Sequence, residues 1–332
     1  MLKVALFGFG RIGQLHAKNI YKNKNFKLTH IFEKSKKLAL MAKKTYNCEI
    51  SKDYNKIFNN DLIDIIFIAS PTSTHINLIE KGIKKKKIIF CEKPIDLNIN
   101  KVKNTLKKVL KKKLKIQMGF NRRYDPGHNE IKKMLDQKKI GKLEKIIITS
   151  RDPSAPSLSY LKSSGGIFRD MMIHDFDMCR YFLRNDKIKQ VSAFSSSFNK
   201  DYMKINDHEL ACVTMKSKSG VLCLISNSRH CSFGYDQRIE LFGSKGMLIS
   251  GNKRNVETEY YSNSYTSSKK RLLNFFIDRY QEAYKLELNE LFKLARQKKT
   301  PRSTFIDGYE ALKLANAAAK SLVTKRTVFI GK

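Results

Sequence analysis

Apolar positions in the first third of the chain form short continuous runs that alternate with stretches of helical spacing. Runs typical of strands cover residues 2–7, 28–32 and 62–69, whereas residues 12–20 and 75–83 repeat with the period of a helix. The run at 62–69 is almost uninterrupted, which is typical of a strand covered on both faces. This succession predicts a doubly wound α/β domain, in which parallel strands are joined by right-handed helical crossovers.

The pattern changes after residue 120. Strand-like runs then dominate, several of them separated by short turns: residues 142–150, 189–195, 209–216, 221–226, 238–242 and 247–250. Helical spacing covers residues 167–183, 272–295 and 307–324. Short strands joined by turns favour antiparallel pairing, so we expect an α+β domain with an open, mostly antiparallel sheet. The chain of 332 residues is long enough for two domains, which we place at residues 1–120 and 121–332.

The chain is strongly basic, with 66 Lys and Arg against 30 Asp and Glu and a formal net charge of +36. Such a charge could serve a nucleic acid or another polyanion. The lysines are spread from Lys3 to Lys332, and their densest runs lie where predicted helices end, a position that suits cations. No aromatic residues alternate with these runs as they do in a base-stacking surface. We therefore expect solvated faces and no nucleic-acid partner.

The apolar runs and the cysteines indicate the compartment. No run approaches the roughly 20 apolar residues that a membrane helix needs, and the N-terminal run ends in glycines after a strand's length. None of the six cysteines forms a C-x-x-C pair or has histidines at zinc-finger spacing. Free thiols in a reducing compartment explain them best. We expect a cytoplasmic protein with neither a membrane partner nor a metal.

A glycine-rich turn follows the first strand. Its G-x-G-x-x-G pattern consists of Gly8, Gly10 and Gly13, with Arg11 and Ile12 inside the repeat. Glycines at this strand-to-helix junction allow a pyrophosphate to approach the backbone N–H groups of the helix. Glu33 lies 20 residues beyond Gly13, where a carboxylate would bind the ribose 2′-hydroxyl of NAD and repel the 2′-phosphate of NADP. The turn predicts NAD binding, although Arg11, Lys34 and Lys36 could weaken the discrimination.

A polar loop follows the predicted strand at 62–69 and contains Ser70, Thr72 and His75. Because ligands of open α/β sheets bind at the carboxyl ends of the strands, the loop is placed to contact the ribose or the nicotinamide. Ser73 and Thr74 could instead cap the following helix, and the two roles are compatible.

Two further sets of residues carry candidate chemistry. Glu92 and Lys93 end another predicted strand, where Lys93 could bind and polarise a substrate oxygen or could lie in a solvated turn. Asp170, His174 and Asp177 interrupt the apolar helix predicted at 167–183 at positions i, i+4 and i+7, so we expect them on one helix face. They could be catalytic, could form a structural network, or could supply two metal ligands without an obvious third.

These motifs together resemble those of the glucose–fructose oxidoreductase/inositol dehydrogenase/MocA family. Three stretches closely resemble its inositol 2-dehydrogenase branch, and they cover residues 119–126, 151–153 and 164–177. Residues 234–238 and 307–311 also look like that branch, and the resemblance extends over almost the whole chain.

The resemblance implies a Rossmann domain followed by a substrate-binding domain, NAD as the cofactor, and a homo-oligomer, either a tetramer or a dimer. It implies that Lys93 binds the reacting hydroxyl, that His174 is the general base, and that Asp170 binds a neighbouring hydroxyl. Glu92 and Lys93 would lie beside the cofactor. Arg122, Asp152 and Tyr235 would line the pocket for a polyol substrate.

The implied reaction is oxidation of the 2-hydroxyl of myo-inositol to 2-keto-myo-inositol (scyllo-inosose). Ser150 occupies a position where some relatives carry a pocket histidine, which leaves scyllo-inositol, chiro-inositol or a sugar as alternative substrates. Arg123 could serve the pocket or form a structural ion pair. Alternatives from other classes are a catalytically silent sensor of a sugar or nucleotide, which intact Lys93, Asp170 and His174 disfavour, and a nucleic-acid binder.

Overall fold

The computed structural model describes residues 1–331 and divides into two compact units. The first unit combines Met1–Tyr124 with Glu282–Leu312, and the second combines Asp125–Gln281 with the segment that begins at Lys313. The chain therefore enters the first unit twice. The predicted domains, residues 1–120 and 121–332, stay a prediction, and the units differ from them mainly in the placement of Glu282–Leu312.

The first unit is built on a six-stranded parallel sheet with the strand order β3-β2-β1-β4-β5-β6. Its strands are β1 (Leu2–Phe7), β2 (Phe26–Phe32), β3 (Glu49–Ser51), β4 (Ile65–Ile68), β5 (Ile88–Glu92) and β6 (Ile116–Gly119). Every residue of β4 is buried, as the continuous apolar run predicts. The strand order reverses direction between β1 and β4, which in such sheets opens a crevice at the carboxyl ends of the strands.

Helices connect these strands in the predicted alternating order. They are α1 (Arg11–Lys22), α2 (Lys36–Tyr46), α3 (Tyr54–Asn59), α4 (His75–Lys84) and α5 (Ile99–Lys111), with single 3₁₀ turns at Thr72–Thr74 and Asn121–Tyr124. Lysines occupy the last turns of α4 and α5, as the charge pattern predicts. The predicted parallel α/β domain is confirmed.

The second unit is built on a seven-stranded mixed sheet with the order β12-β11-β7-β10-β9-β8-β15. Its strands are β7 (Leu143–Arg151), β8 (Ile188–Ser196), β9 (Leu210–Ser217), β10 (Leu222–Ser228), β11 (Asp236–Gly243), β12 (Gly246–Ser250) and β15 (Val328–Phe329), and a separate hairpin contains β13 (Glu259–Tyr260) and β14 (Ser268–Lys269). Neighbours pair antiparallel except β7 and β10, which are parallel. The predicted open, mostly antiparallel sheet is confirmed.

Some of the later helices of the chain cover one face of this sheet. The later helices of the chain are α6 (Pro126–Asp136), α7 (Leu158–Ser164), α8 (Ile167–Asp170), α9 (Ile173–Leu183), α10 (Lys200–Lys204), α11 (Phe276–Arg279), α12 (Gln281–Gln297) and α13 (Phe305–Thr324). The core of the unit joins Phe176 and Cys179 of α9 to Ile148, Ile225 and Ile239 of the sheet. Alternation along the strands leaves the opposite face open, with apolar side chains exposed on it.

Two predicted helices differ from the structure. The helix predicted at 167–183 is broken into α8 and α9, because the Met172 N–H bonds to the Ile167 carbonyl five residues back and the His174 N–H bonds to the Met171 carbonyl only three back. A change from a wide turn to a tight turn ends one helix and starts another. The helix predicted at 272–295 begins only at Phe276 and breaks before Gln281.

The segment Glu282–Leu312 packs as part of the first unit. Leu288, Leu291 and Leu294 of α12 belong to the same core cluster as β1 and β4. Beyond α12, the Met118 N–H donates to the Ser303 carbonyl at 3.0 Å, so the segment also borders edge strand β6. An amphipathic helix does not state in its own sequence which core its apolar face joins, which is why the linear pattern placed the segment in the second domain.

Candidate active site

The glycine turn uses its three glycines in different ways. Gly8 has a φ of +94°, and a Cβ there would lie 2.6 Å from the Ala69 carbonyl oxygen. A Cβ on Gly13 would lie 2.2 Å from the Gly8 carbonyl oxygen. A Cβ on Gly10 would meet nothing within 4 Å. The two outer glycines thus close the turn against the protein itself, while the protein places no such restriction on Gly10.

The N-terminus of α1 has the features of an anion-binding site. Gly10 is its N-cap and contributes no side-chain hydrogen bond, and Arg11 and Ile12 begin the helix. In contrast, side chains of Ser35 and Asn98 cap α2 and α5. Because an uncapped helix start presents N–H groups and a positive dipole end, these residues fit the pyrophosphate of a dinucleotide.

Glu33 ties the glycine turn to the second strand. Its Oε2 accepts a hydrogen bond from the Phe9 N–H at 2.8 Å, and its Oε1 accepts one from the Ser35 N–H at 2.8 Å. A carboxylate can accept about four hydrogen bonds, so both oxygens keep acceptor capacity for a ribose diol. The geometry suits the predicted role of Glu33.

A cavity of about 500 Å³ lies in the first unit beside these groups. Its walls include three predicted cofactor residues, Gly8, Glu33 and Ser70, together with Lys34 and Lys81. Its position follows the carboxyl ends of β1, β2 and β4, where the strand order reverses. The cavity can hold part of a dinucleotide beside Glu33.

The loop after β4 is held by its own hydroxyl groups. Ser70 Oγ and Thr74 Oγ1 are 2.6 Å apart, and Thr74 Oγ1 donates to the Pro71 carbonyl at 2.7 Å. No side chain caps α4, so the predicted capping by Ser73 or Thr74 is wrong. Thr72, a predicted cofactor residue, starts the single 3₁₀ turn of this loop.

His75 joins two loops of the first unit. Its Nδ1 lies 2.8 Å from the Pro94 carbonyl and its Nε2 lies 2.8 Å from the Ser70 carbonyl. Burial lowers the pKa of His75 below its usual value, so the neutral ring donates one of these bonds. With both nitrogens facing protein carbonyls, the imidazole is a link between the loops, and the predicted cofactor contact of His75 would have to use other atoms of the residue.

Glu92 positions the backbone of Lys93. Glu92 is buried, its Oε1 lies 2.7 Å from His16 Nε2, and its Oε2 accepts the Lys93 N–H at 3.2 Å. The Glu92 carboxylate therefore bonds to groups within the protein. Lys93 follows Glu92 at the carboxyl end of β5, and its side chain is half-buried. His16 on α1 is a residue that the sequence analysis missed.

The two arginines after β6 differ in their settings. Arg123 forms an ion pair with Asp307 at 3.0 Å, which confirms the structural alternative for this residue. Arg122, the predicted pocket residue, is 5% exposed in the 3₁₀ turn Asn121–Tyr124.

In the second unit, the single parallel strand pair brings two charged residues together. Asp152 follows β7 and Arg229 follows β10, and the Asp152 N–H donates to the Ser228 carbonyl at 2.9 Å. Arg229 is 1% exposed and donates to Asp170 Oδ2 at 3.1 Å. Parallel strands end at the same edge, so this pair creates a polar edge in the second unit.

Asp170 and His174 lie on different helices. Asp170 is the last residue of α8, where its Oδ1 also accepts a hydrogen bond from the Tyr160 hydroxyl at 2.7 Å. His174 is half-buried in the first turn of α9, and Asp177 is 1% exposed. The expectation that the three residues share one helix face is therefore wrong, because the helix breaks between Asp170 and His174.

Asp175 anchors the start of α9 to the sheet. Its carboxylate accepts hydrogen bonds from Ser150 Oγ at 2.7 Å and from Asn227 Nδ2 at 2.9 Å. Ser150 and Asn227 lie on the parallel strands β7 and β10. This buried anchor fixes the backbone beside His174, and it gives the Ser150 hydroxyl a structural partner.

Tyr235 precedes β11 and is 6% exposed. Its ring packs edge-on to Phe275 and Tyr280 at centroid distances of 6.3 Å and 6.1 Å. Its N–H donates to the Leu273 carbonyl, so the irregular segment before α11 holds this predicted pocket residue in place.

Arg229 and Tyr160 were also missed by the sequence analysis. Polar residues at the carboxyl ends of parallel strands gather at one edge of the sheet. Arg229 could have been identified on this basis, but the sheet was predicted to be mostly antiparallel, so the parallel pair of β7 and β10 was not expected. Within residues 1–331, no three His, Cys, Asp or Glu side chains are grouped to hold a metal.

Comparison with known proteins identifies the family. Residues 2–120 match the model of an oxidoreductase family with an NAD-binding Rossmann fold, and residues 128–249 match the GFO/IDH/MocA C-terminal domain. The chain is 39% identical to an inositol 2-dehydrogenase of Rhizobium meliloti, over 99% of both chains.

Two solved structures are similar along the whole chain. A myo-inositol dehydrogenase from Corynebacterium glutamicum has a TM-score of 0.95 and 40% identity, covering 100% of this chain and 99% of that one. A scyllo-inositol dehydrogenase from Lactobacillus casei, solved with NAD(H) and scyllo-inositol, has a TM-score of 0.92 and 28% identity, covering 99% of each chain.

The chain belongs to the GFO/IDH/MocA oxidoreductase family, and its N-terminal part is an NAD-binding Rossmann fold. The predicted family, fold class and NAD cofactor are thereby confirmed.

Gly10→Ala and Gly13→Ala should separate the demands of the ligand from those of the fold. We expect Gly10→Ala to keep the wild-type Tm and to weaken NAD binding by about tenfold or more, because its methyl group takes space that the pyrophosphate needs. Gly13→Ala should lower both Tm and NAD affinity, since its Cβ meets backbone atoms. Thermal unfolding and NAD titration measure the two effects, and wild-type NAD affinity in Gly10→Ala would contradict the assignment.

Glu33→Ser should shift the cofactor preference toward NADP. The change removes the carboxylate beside the ribose, while Arg11 and Lys34 remain nearby in sequence to attract a 2′-phosphate. The ratio of kcat/KM for NAD and NADP measures the preference, with Glu49→Ser on the edge strand β3 as the control. An unchanged ratio would show that another group recognises the ribose.

Proposed function

We propose that this family member is an NAD-dependent inositol 2-dehydrogenase, which oxidises the 2-hydroxyl of myo-inositol to 2-keto-myo-inositol (scyllo-inosose). The observation that carries the proposal is the match along the whole chain to proteins named inositol 2-dehydrogenase and myo-inositol dehydrogenase, at 39% and 40% identity. The glycine turn and Glu33 supply the cofactor site that the reaction requires.

The residues of each unit have separate tasks in this reaction. The glycine turn and Glu33 would hold NAD, which would supply the acceptor for the hydride of the substrate carbon. We assign to Lys93 the binding of the reacting hydroxyl and to His174 the removal of its proton, because an imidazole titrates near neutral pH. Asp170 accepts a hydrogen bond from a neighbouring hydroxyl.

The remaining predicted contacts concern substrate selection. Arg122, Asp152 and Tyr235 are proposed to bind further hydroxyls of the polyol. A site that presents fixed donors and acceptors rejects isomers that leave these groups unpaired. Oxidation of scyllo-inositol yields the same ketone, so a preference for myo-inositol depends on these contacts rather than on the chemistry of the product.

We also propose that the protein forms a homo-oligomer through the open face of the second unit's sheet. Six large apolar side chains are exposed on that face: Phe194, Leu222, Leu224, Phe242, Met247 and Ile249. An exposed apolar patch rimmed by polar residues is typical of a protein interface.

A cytoplasmic location is supported by the thiols. All six cysteines are free, and five of them are buried. No helix among residues 1–331 has the length and apolarity needed to span a membrane.

Initial rates with NAD or NADP against inositol isomers and aldoses test the function. We expect turnover of myo-inositol with NAD, and Lys93→Ala should abolish it while NAD affinity stays within about twofold, because Lys93 serves the substrate. Lys101→Ala, at an exposed position on α5, is the matched control. Absence of turnover with any polyol would favour a silent sensor, and loss of NAD binding in Lys93→Ala would remove that residue from its substrate role.

The oligomer is tested by Met247→Asp combined with Ile249→Asp. Two carboxylates on the apolar face should dissociate the assembly, because burying unpaired charges is costly. Sedimentation velocity measures the mass, and Leu62→Asp, at a 66% exposed position in the first unit, is the control. A wild-type monomer, or an assembly unaffected by the double variant, would contradict this interface.

A further inference from the structure

Both carboxylate oxygens of Asp170 are bonded by side chains that the reaction as assigned does not use. The Tyr160 hydroxyl of α7 donates to Oδ1 at 2.7 Å, and Arg229 Nη1, beyond β10, donates to Oδ2 at 3.1 Å. Two donors from separate elements fix the orientation of this carboxylate before any substrate is present.

Arg229 also holds the other end of α8. Its Nη2 lies 3.4 Å from Asp207 Oδ2, and Asp207 Oδ1 accepts the Ile167 N–H at 3.0 Å. Ile167 begins α8 and Asp170 ends it. One buried guanidinium therefore binds both ends of this four-residue helix, directly through Asp170 and indirectly through Asp207.

The charges of the cluster support each other. The nearby carboxylates of Asp170 and Asp207 raise the pKa of Arg229 against the effect of burial, so the guanidinium stays charged. Burial and the Asp170 carboxylate raise the pKa of Tyr160 far above its usual value, so its hydroxyl stays a donor. A cation and a hydroxyl donor both favour the ionised form of Asp170.

We propose that Arg229 and Tyr160 are positioning residues for the dehydrogenase reaction, which keep Asp170 ionised and fixed as the acceptor of a substrate hydroxyl. The proposal rests on the proposed function, since the substrate contact of Asp170 belongs to it. An ionised carboxylate in a fixed orientation accepts a hydroxyl hydrogen better than a mobile one does.

The KM for myo-inositol in Arg229→Gln tests the role of the charge. Without the charged hydrogen bond the Asp170 carboxylate is held less firmly, so KM should rise about tenfold or more, with a smaller change in kcat. Arg229→Lys keeps the charge without the two-ended fork, and it should restore most of the wild-type KM. Arg184→Gln, which removes an exposed partner of Asp136, is the matched control and should leave KM unchanged.

Tyr160→Phe provides a second arm with little risk to folding, because it removes only the hydroxyl group and keeps the ring. Loss of one hydrogen bond to a charged acceptor should raise KM for myo-inositol roughly tenfold, with a smaller change in kcat. Thermal unfolding and NAD titration show whether each variant is folded. Folded Arg229→Gln and Tyr160→Phe proteins with the wild-type KM for myo-inositol would overturn the proposal.

A stability cycle separates failure of the clamp from failure of the proposed function. Unfolding of the wild type, Asp170→Asn, Arg229→Gln and the double variant measures the coupling of the two side chains without substrate. Strong coupling in a protein that turns over no polyol would retain the clamp and reject the function, and with it the role in catalysis. Absence of coupling would overturn the clamp even in an active enzyme.

Discussion

The close approach of two backbone segments in the glycine turn is the constraint on which the candidate cofactor site of the first unit depends. Gly13 lies so near the Gly8 carbonyl that no side chain fits between them, and Gly8 lies against the end of β4 in the same way. This contact places the uncapped start of α1 at the edge where β1, β2 and β4 end. It also places the Phe9 N–H within reach of Glu33, so the predicted contacts to the phosphates and to the ribose would both depend on one turn.

In the second unit, the buried charge of Arg229 is the corresponding constraint. Arg229 is almost wholly enclosed, and it is held by Asp170 and Asp207. Removing one partner of such a buried pair typically costs about 3–5 kcal/mol, because it leaves an uncompensated charge. Asp170 thus compensates the buried charge of Arg229, and the same carboxylate is the group that we propose as the acceptor of a substrate hydroxyl. In this proposal, structural and catalytic demands coincide at Asp170.

Features that depend on a local sequence pattern could be predicted from the sequence. Features that depend on contacts between distant segments could not. The glycine turn and Glu33 were predictable because a strand, a turn and a helix suffice to place them. The break between Asp170 and His174 could not be predicted. It arises from backbone hydrogen bonds that reach five residues back at Met172 and three residues back at His174. Arg229 was missed because only tertiary structure shows that β7 and β10 run parallel. Since an apolar helix face can join either core, the sequence did not indicate that Glu282–Leu312 packs with the first unit.

The most direct test of the account is reduction of NAD by myo-inositol deuterated at C2. The assigned reaction transfers hydrogen from that carbon to the nicotinamide ring, while His174 is assigned to remove the hydroxyl proton into solvent. The account predicts NADH that carries one deuterium at C4 of the ring, formed together with 2-keto-myo-inositol. NADH without deuterium, or no reduction of NAD, would contradict it.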